Sequence, residues 1–171
     1  MHKLILGAVL ALALPVSAAV AAPKEPAPAD VAKAACKTEK HAMGTKLFKK
    51  TYAAKSTSKA MGTCVAKTVP VAEAEARNAA QECKAEREAD PAAFAEEYGT
   101  NPSKKNAYGK CVSGKAREAT EDHAKDRVSA AKSCKALKAD DEAAFEAAYG
   151  TKKNAFGKCV SAAAKAGDDE A

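Results

Sequence analysis

A cysteine-to-cysteine unit is written three times in this chain, and it restricts the fold more than any other feature. The copies run from Cys36 to Val65, from Cys83 to Val112 and from Cys134 to Val160. A phenylalanine follows the first cysteine of each copy (Phe48, Phe94, Phe145), and a tyrosine follows that phenylalanine by four residues (Tyr52, Tyr98, Tyr149). A glycine stands two before each second cysteine (Gly62, Gly109, Gly157), with Met61, Tyr108 or Phe156 immediately before it. The cysteine spacings are 28, 28 and 25, and the insertion Asn101-Pro102-Ser103 accounts for the difference between the second and third copies. Loops absorb insertions and packed helices do not, so the loop of the unit lies just after Gly99 and Gly150. The i, i+4 spacing of the aromatic pairs puts both rings on one face of a helix. All four Phe and all four Tyr fall inside the units, which is where buried contacts are expected.

The chain is 47% apolar but has no Trp, and much of the apolar share is alanine. Alanine buries little area per residue and is the best helix former. The expectation is a helical protein whose thin core needs cross-links. Each unit reads as three helical pieces. The first carries the first cysteine, as in residues 71–88. Asp90 then caps a short helix with Pro91 in its first turn, a position that needs no backbone N–H. Asp141 takes the capping place in the third copy and Thr45 in the first. The short helix, residues 91–98, closes on Gly99 in a left-handed conformation. The third piece starts near Asn106 or Asn154 and carries the second cysteine. The glycine two before that cysteine is costly inside a helix, so its expected use is close approach by another backbone or by the facing disulfide.

Residues 117–127 between the second and third units are almost all polar, with opposite charges four apart at Arg117–Glu121 and Glu121–Lys125, as on a solvated helix. An unbroken helix would hold Cys111 and Cys134 about 35 Å apart. The alternative is a break at Ser113-Gly114 that folds the units onto one another, with Pro70 marking a comparable joint earlier. The fold class adopted is all-α: three disulfide-pinned helical repeat units joined by helical spacers, with no sheet.

Ahead of the units, His2 and Lys3 precede an apolar run from Leu4 to Leu14 and a small-x-small site at Ala19-Val20-Ala21. That is the layout of a secretory signal peptide, 1–21, cleaved after Ala21. Residues 22–30 form a Pro-rich linker expected to be extended. Helical repeats follow at 31–69, 70–117 and 118–165, and 166–171 is an acidic tail. Six cysteines behind such a signal read as disulfides. If the units are independent copies, the pairs are Cys36–Cys64, Cys83–Cys111 and Cys134–Cys159. Zinc would need about four ligands where each unit offers two cysteines, and no CxxC supports redox chemistry. The expected location is extracellular or the cell envelope.

No constellation carries a reaction. His41 and His123 are isolated, Asp140-Asp141 fits a helix cap, and no GxSxG, HExxH, phosphate-cradling loop or CxxCH occurs. The reading is therefore not an enzyme, with no catalytic, cofactor or metal residues and no cofactor. A small secreted hydrolase is the most distant alternative. Charge is the informative feature. From Cys36 to Lys67, eight lysines face the single acid Glu39, a net charge of +7, against +1 for 83–115 and +2 for 134–165. Lys37, Lys40, Lys46, Lys49, Lys50, Lys55, Lys59 and Lys67 are the candidate polyanion-binding residues. With 24 Lys to 4 Arg, diffuse attraction is favoured over bidentate or sequence-specific nucleic-acid recognition.

The strings DPAAFAEEYGTN (90–101) and NAFGKCVS (154–161) resemble repeats in small secreted bacterial proteins that carry an ACK…AF…YGT…NAFGKCVS pattern. The resemblance covers the second and third units, and the first departs with Met61-Gly62-Thr63. It implies a repeat identity and transfers no activity. Two functions stay open on these residues: a secreted or envelope scaffold or binding module, and a binder of an anionic envelope polymer or membrane surface working through the first repeat.

Overall fold

The computed structural model describes residues 27–168, all of whose regular elements are helices. They are α1 (Pro28–Thr51), α2 (Thr57–Ala89), α3 (Pro91–Tyr98), α4 (Ala107–Asp140), α5 (Glu142–Tyr149) and α6 (Ala155–Asp168). The expected signal peptide, residues 22–26 of the linker and residues 169–171 of the tail lie outside the described residues. The spacers are continuous helices. α2 carries both Cys64 and Cys83, and α4 both Cys111 and Cys134, so each links one unit to the next without a joint.

At 33 and 34 residues, α2 and α4 are each about 50 Å long. They run out and back. α2 leaves the first unit, the second unit turns the chain at the far end, and α4 returns to deliver the third unit beside the first. α1 packs along both long helices, and α6 packs on α4 and α1. The units therefore do both things that the sequence left as alternatives: they are spaced by helices, and two of them fold together. The first and third share one core, with Cys36, Phe48, Tyr52 and Cys64 against Val128, Cys134, Phe145, Phe156, Cys159 and Val160. The second keeps a separate core around Cys83, Phe94, Ala107, Cys111 and Val112. Within each unit the aromatic pair meets as its spacing requires, with ring centroids 4.9, 4.9 and 5.1 Å apart.

Several local expectations need correction. Pro28 to Asp30, assigned to the linker, form the first turn of α1, where a proline fits without losing a hydrogen bond. Pro70 does not mark a joint but lies inside α2. Both Pro70 and Ala66, whose carbonyl loses its partner, are on the exposed face, so water can replace the missing bond. No break occurs at Ser113-Gly114. Residues 117–127 are not solvated all round, because Thr120 and Ala124 lie on a buried stripe with Ala116 and Val128.

The caps divide in the same way. Asp90 accepts from the N–H groups of Ala92 and Ala93, and Asp141 from that of Ala144, as expected. In the first unit Gly44, not Thr45, occupies the equivalent place, with φ 73° and ψ 157° inside α1. Four residues before Phe48, it breaks α1 where an aspartate starts α3 and α5. Gly99 is extended (φ −76°), not left-handed. A Cβ there would collide with the Ala95 carbonyl oxygen, so space and not handedness demands glycine. Gly150 does take a positive φ, of 87°.

Candidate functional site: a lysine-bearing end and a buried polar network

The three disulfides join the pairs set by the repeat, each with Cα atoms 6.0 Å apart. Every cysteine is buried, and none is free. Each bridge closes a loop of 25 or 28 residues, worth roughly 3–4 kcal/mol by loop-closure entropy. Among the described residues no three His, Cys, Asp or Glu side chains converge as a metal site would require.

Beside the first disulfide lies a buried polar network. Glu39 is fully buried on α1. The Tyr52 hydroxyl donates to its Oε1 at 2.6 Å, and Arg127 of α4 donates from Nε to its Oε2 at 3.0 Å. Arg127 also donates to the Thr68 hydroxyl of α2 at 3.2 Å. The network thus joins α1, α2 and α4. Burial, followed by the adjacent Glu39 carboxylate, pushes the Tyr52 hydroxyl far above the ordinary tyrosine range.

The second unit repeats the device with a different cation. Tyr98 donates to Glu86 at 3.1 Å, and Lys115 bridges Glu86 (2.8 Å) and Glu82 (3.0 Å). Glu39 and Glu86 each stand three residues after the first cysteine of their unit, and Thr68 and Lys115 four after the second. This site is more open. The Lys115 hydrogen bond, aided by Tyr98, holds the Glu86 carboxyl below the usual range, and the two carboxylates hold Lys115 above its own. In the third unit the same positions are Leu137 and Ala163, and the polar device is gone.

The eight candidate lysines share one property. None forms an ion pair among the described residues, whereas Lys84, Lys104, Lys115, Lys125 and Lys138 all pair with acids. They do not form one cluster. Lys37 and Lys40 lie along α1. Lys55 and Lys59 flank the start of α2. Lys46 and Lys50 border a groove with Met43, Leu47 and Lys135. The Lys50 ammonium sits 4.4 Å from the Phe156 ring centroid, and burial, then the neighbouring Lys138, lowers its pKa. Lys49 is half-buried on the last turn of α1.

Lys67 lines a second groove, and the two other lysines there, Lys158 and Lys165, come from the third repeat. The α6 backbone packs on α1 and α4 but stays clear of α2. The space left between α2 and α6 is floored by Thr51, Tyr52 and Ala53 and walled by Lys67, Asn154, Lys158, Ser161 and Lys165. No carboxylate lines either groove. Gly157 makes the second groove possible: a Cβ there would fall 2.6 Å from the Thr51 carbonyl oxygen, so only glycine lets α6 lie this close to the end of α1. Gly62 at the same repeat position faces open space, so close approach explains the glycine in the third copy and not in the first.

His123 is not a solvated histidine among its own helix's acids. Its Nε2 lies 3.1 Å from Glu75 of α2. His41 is exposed. The sequence carried one signal of the buried network, a Cys-x-x-Glu at Cys36 and again at Cys83. It carried none of Arg127, which comes from 88 residues away, nor of the pairing of Lys67 with Lys158 and Lys165. No helix among the described residues is long and apolar enough to cross a membrane, and the three disulfides fit an oxidising environment. No protein-family model matches the chain, and no curated protein or solved structure matches it.

Proposed function

We propose that this protein is a non-enzymatic binding module of an oxidising extracytoplasmic compartment, and that its ligand is an anionic polymer held at the end where the first and third units meet. One observation carries the reading. At that end lysines line two grooves without a carboxylate in either, whereas Glu82, Glu86 and Glu121 on the long helices each have a basic partner. Unpaired cations around a concavity give a field that draws polyanions and releases their counterions on contact. The long α2–α4 pair sets the second unit well away from this end, which suits a module that binds at one end and is attached or extended at the other.

The test uses the full chain, because the first unit contributes part of a shared core and cannot be deleted without exposing the rest. Binding to polyphosphate is measured against salt for the wild type and for a Lys46→Ser/Lys67→Ser/Lys135→Ser variant, which removes lysines from both grooves. Salt-sensitive binding that weakens in the variant is the expected result. Absence of wild-type binding at low salt, or equal affinities, would end the proposal.

A further inference from the structure

The groove between α2 and α6 has the shape and charge of a site for one strand of a linear phosphate polymer, and we infer that it is the specific binding site within the lysine-bearing end. The inference rests on the polyanion reading above and assigns it to side chains that the first repeat alone does not supply. Lys158, Ser161 and Lys165 stand at i, i+3 and i+7 on α6 and line one wall together. Lys158 and Lys165 are therefore about 10.5 Å apart along the helix axis. Asn154, one turn before Lys158, extends the same wall, and Lys67 stands on the opposite one.

Three features select a strand over other anionic partners. The site is a concavity walled by residues of two helices, α2 and α6, so a chain can lie between them. A bilayer surface would require a convex face with exposed apolar anchors. Leu137, the one large hydrophobic residue strongly exposed among those described, is not in the groove. The charged groups are all lysines, point charges suited to phosphate oxygens without the fixed fork of arginine, and Ser161 and Asn154 add neutral donors between them. The floor is rigid. Tyr52 is tied through its hydroxyl to Glu39 and thence to Arg127, and Thr51 is held against Gly157. A preformed trough loses little freedom on binding.

The experiment compares three full-length proteins: wild type, Lys158→Ser/Lys165→Ser, and Lys105→Ser/Lys110→Ser. The last removes the same charge from the distant second unit. Each is titrated with medium-chain polyphosphate across a salt series, and separately with phosphatidylglycerol vesicles. Two contacts to a single strand contribute about 1.4 to the slope of log affinity against log salt, or roughly 25-fold at 0.1 M salt relative to 1 M. The expected result is a loss on the order of 20-fold and a shallower slope for Lys158→Ser/Lys165→Ser, with the control within about twofold of wild type. Wild-type polyphosphate binding with equal losses in both variants would mean diffuse attraction and overturn the groove while leaving the polyanion reading standing. Binding to vesicles without binding to polyphosphate would overturn it in favour of a membrane surface. No wild-type binding to either probe would remove the polyanion reading and the groove together.

Discussion

Replacing Arg127 by methionine tests the buried network most directly. Glu39 is 0% exposed and the Arg127 side chain 20% exposed, so the two partners are not equivalent. Methionine keeps much of the length and the apolar stem of arginine but leaves the Glu39 carboxylate with only Tyr52 as a donor. Breaking a buried pair by removing one partner costs about 3–5 kcal/mol, because the remaining charge is desolvated without compensation. For a chain of this size each kcal/mol moves the melting temperature by about 2–4 °C, so Arg127→Met should lower it by roughly 10 °C. Glu39→Gln should cost less. It leaves Arg127, which already reaches solvent, able to find water, and the amide oxygen can still accept from Tyr52. The double variant should be more stable than Arg127→Met alone, since no buried charge remains. Thermal and urea unfolding followed by helical circular dichroism, with disulfides intact, gives all three values. An Arg127→Met cost under about 1 kcal/mol, or a larger cost for Glu39→Gln, would falsify the claim that this pair holds α4 against α1.

The glycine positions separate close approach from habit: Gly157→Ala should destabilise by about 1–3 kcal/mol, whereas Gly62→Ala should gain up to about 1 kcal/mol of helix propensity. Matched unfolding curves settle it, and equal effects would refute the contact between α6 and Thr51. Lys115→Met should change the pH dependence of stability. Glu86, held below the usual carboxylate range, stabilises above about pH 4.3 and loses that contribution as pH falls through its lower folded value, while Lys115 contributes below about pH 10.4 and loses it as pH rises through its higher one. The gap in melting temperature between wild type and variant should therefore be widest between about pH 5 and 10 and close towards pH 2; a gap independent of pH would contradict the pairing. Cys83→Ser/Cys111→Ser should lose about 3–4 kcal/mol from the second unit. Hydrogen exchange should quicken in α3 and leave α5 and α6 protected, because the second core is separate; uniform quickening would show one cooperative unit instead.

The residues announce what depends on near neighbours. Helix content follows from the alanine-rich composition, and the caps at Asp90 and Asp141 from a side chain bonding N–H groups two or three residues on. The ring pairs follow from i, i+4 spacing, and the disulfide partners from three copies of one unit. The first unit misled where its letters departed from the other two, so that Gly44 and not Thr45 takes the capping place. Gly99 misled because a glycine after a helix looks alike whether it answers a left-handed φ or a lack of room for a Cβ.

What the tertiary structure alone decided is how distant pieces meet. α2 and α4 are of nearly equal length, so the chain that goes out along one comes back to its start along the other, and the third unit lands on the first. That return brings Arg127 to Glu39 and fuses two cores into one. It also sets Lys158 and Lys165 across from Lys67. No local pattern encodes such meetings, because they depend on the summed length and rotational phase of two helices of more than thirty residues each. The sequence by itself determined the unit, its cross-link and its basic character; only the docking of one unit on another turned scattered lysines into a groove.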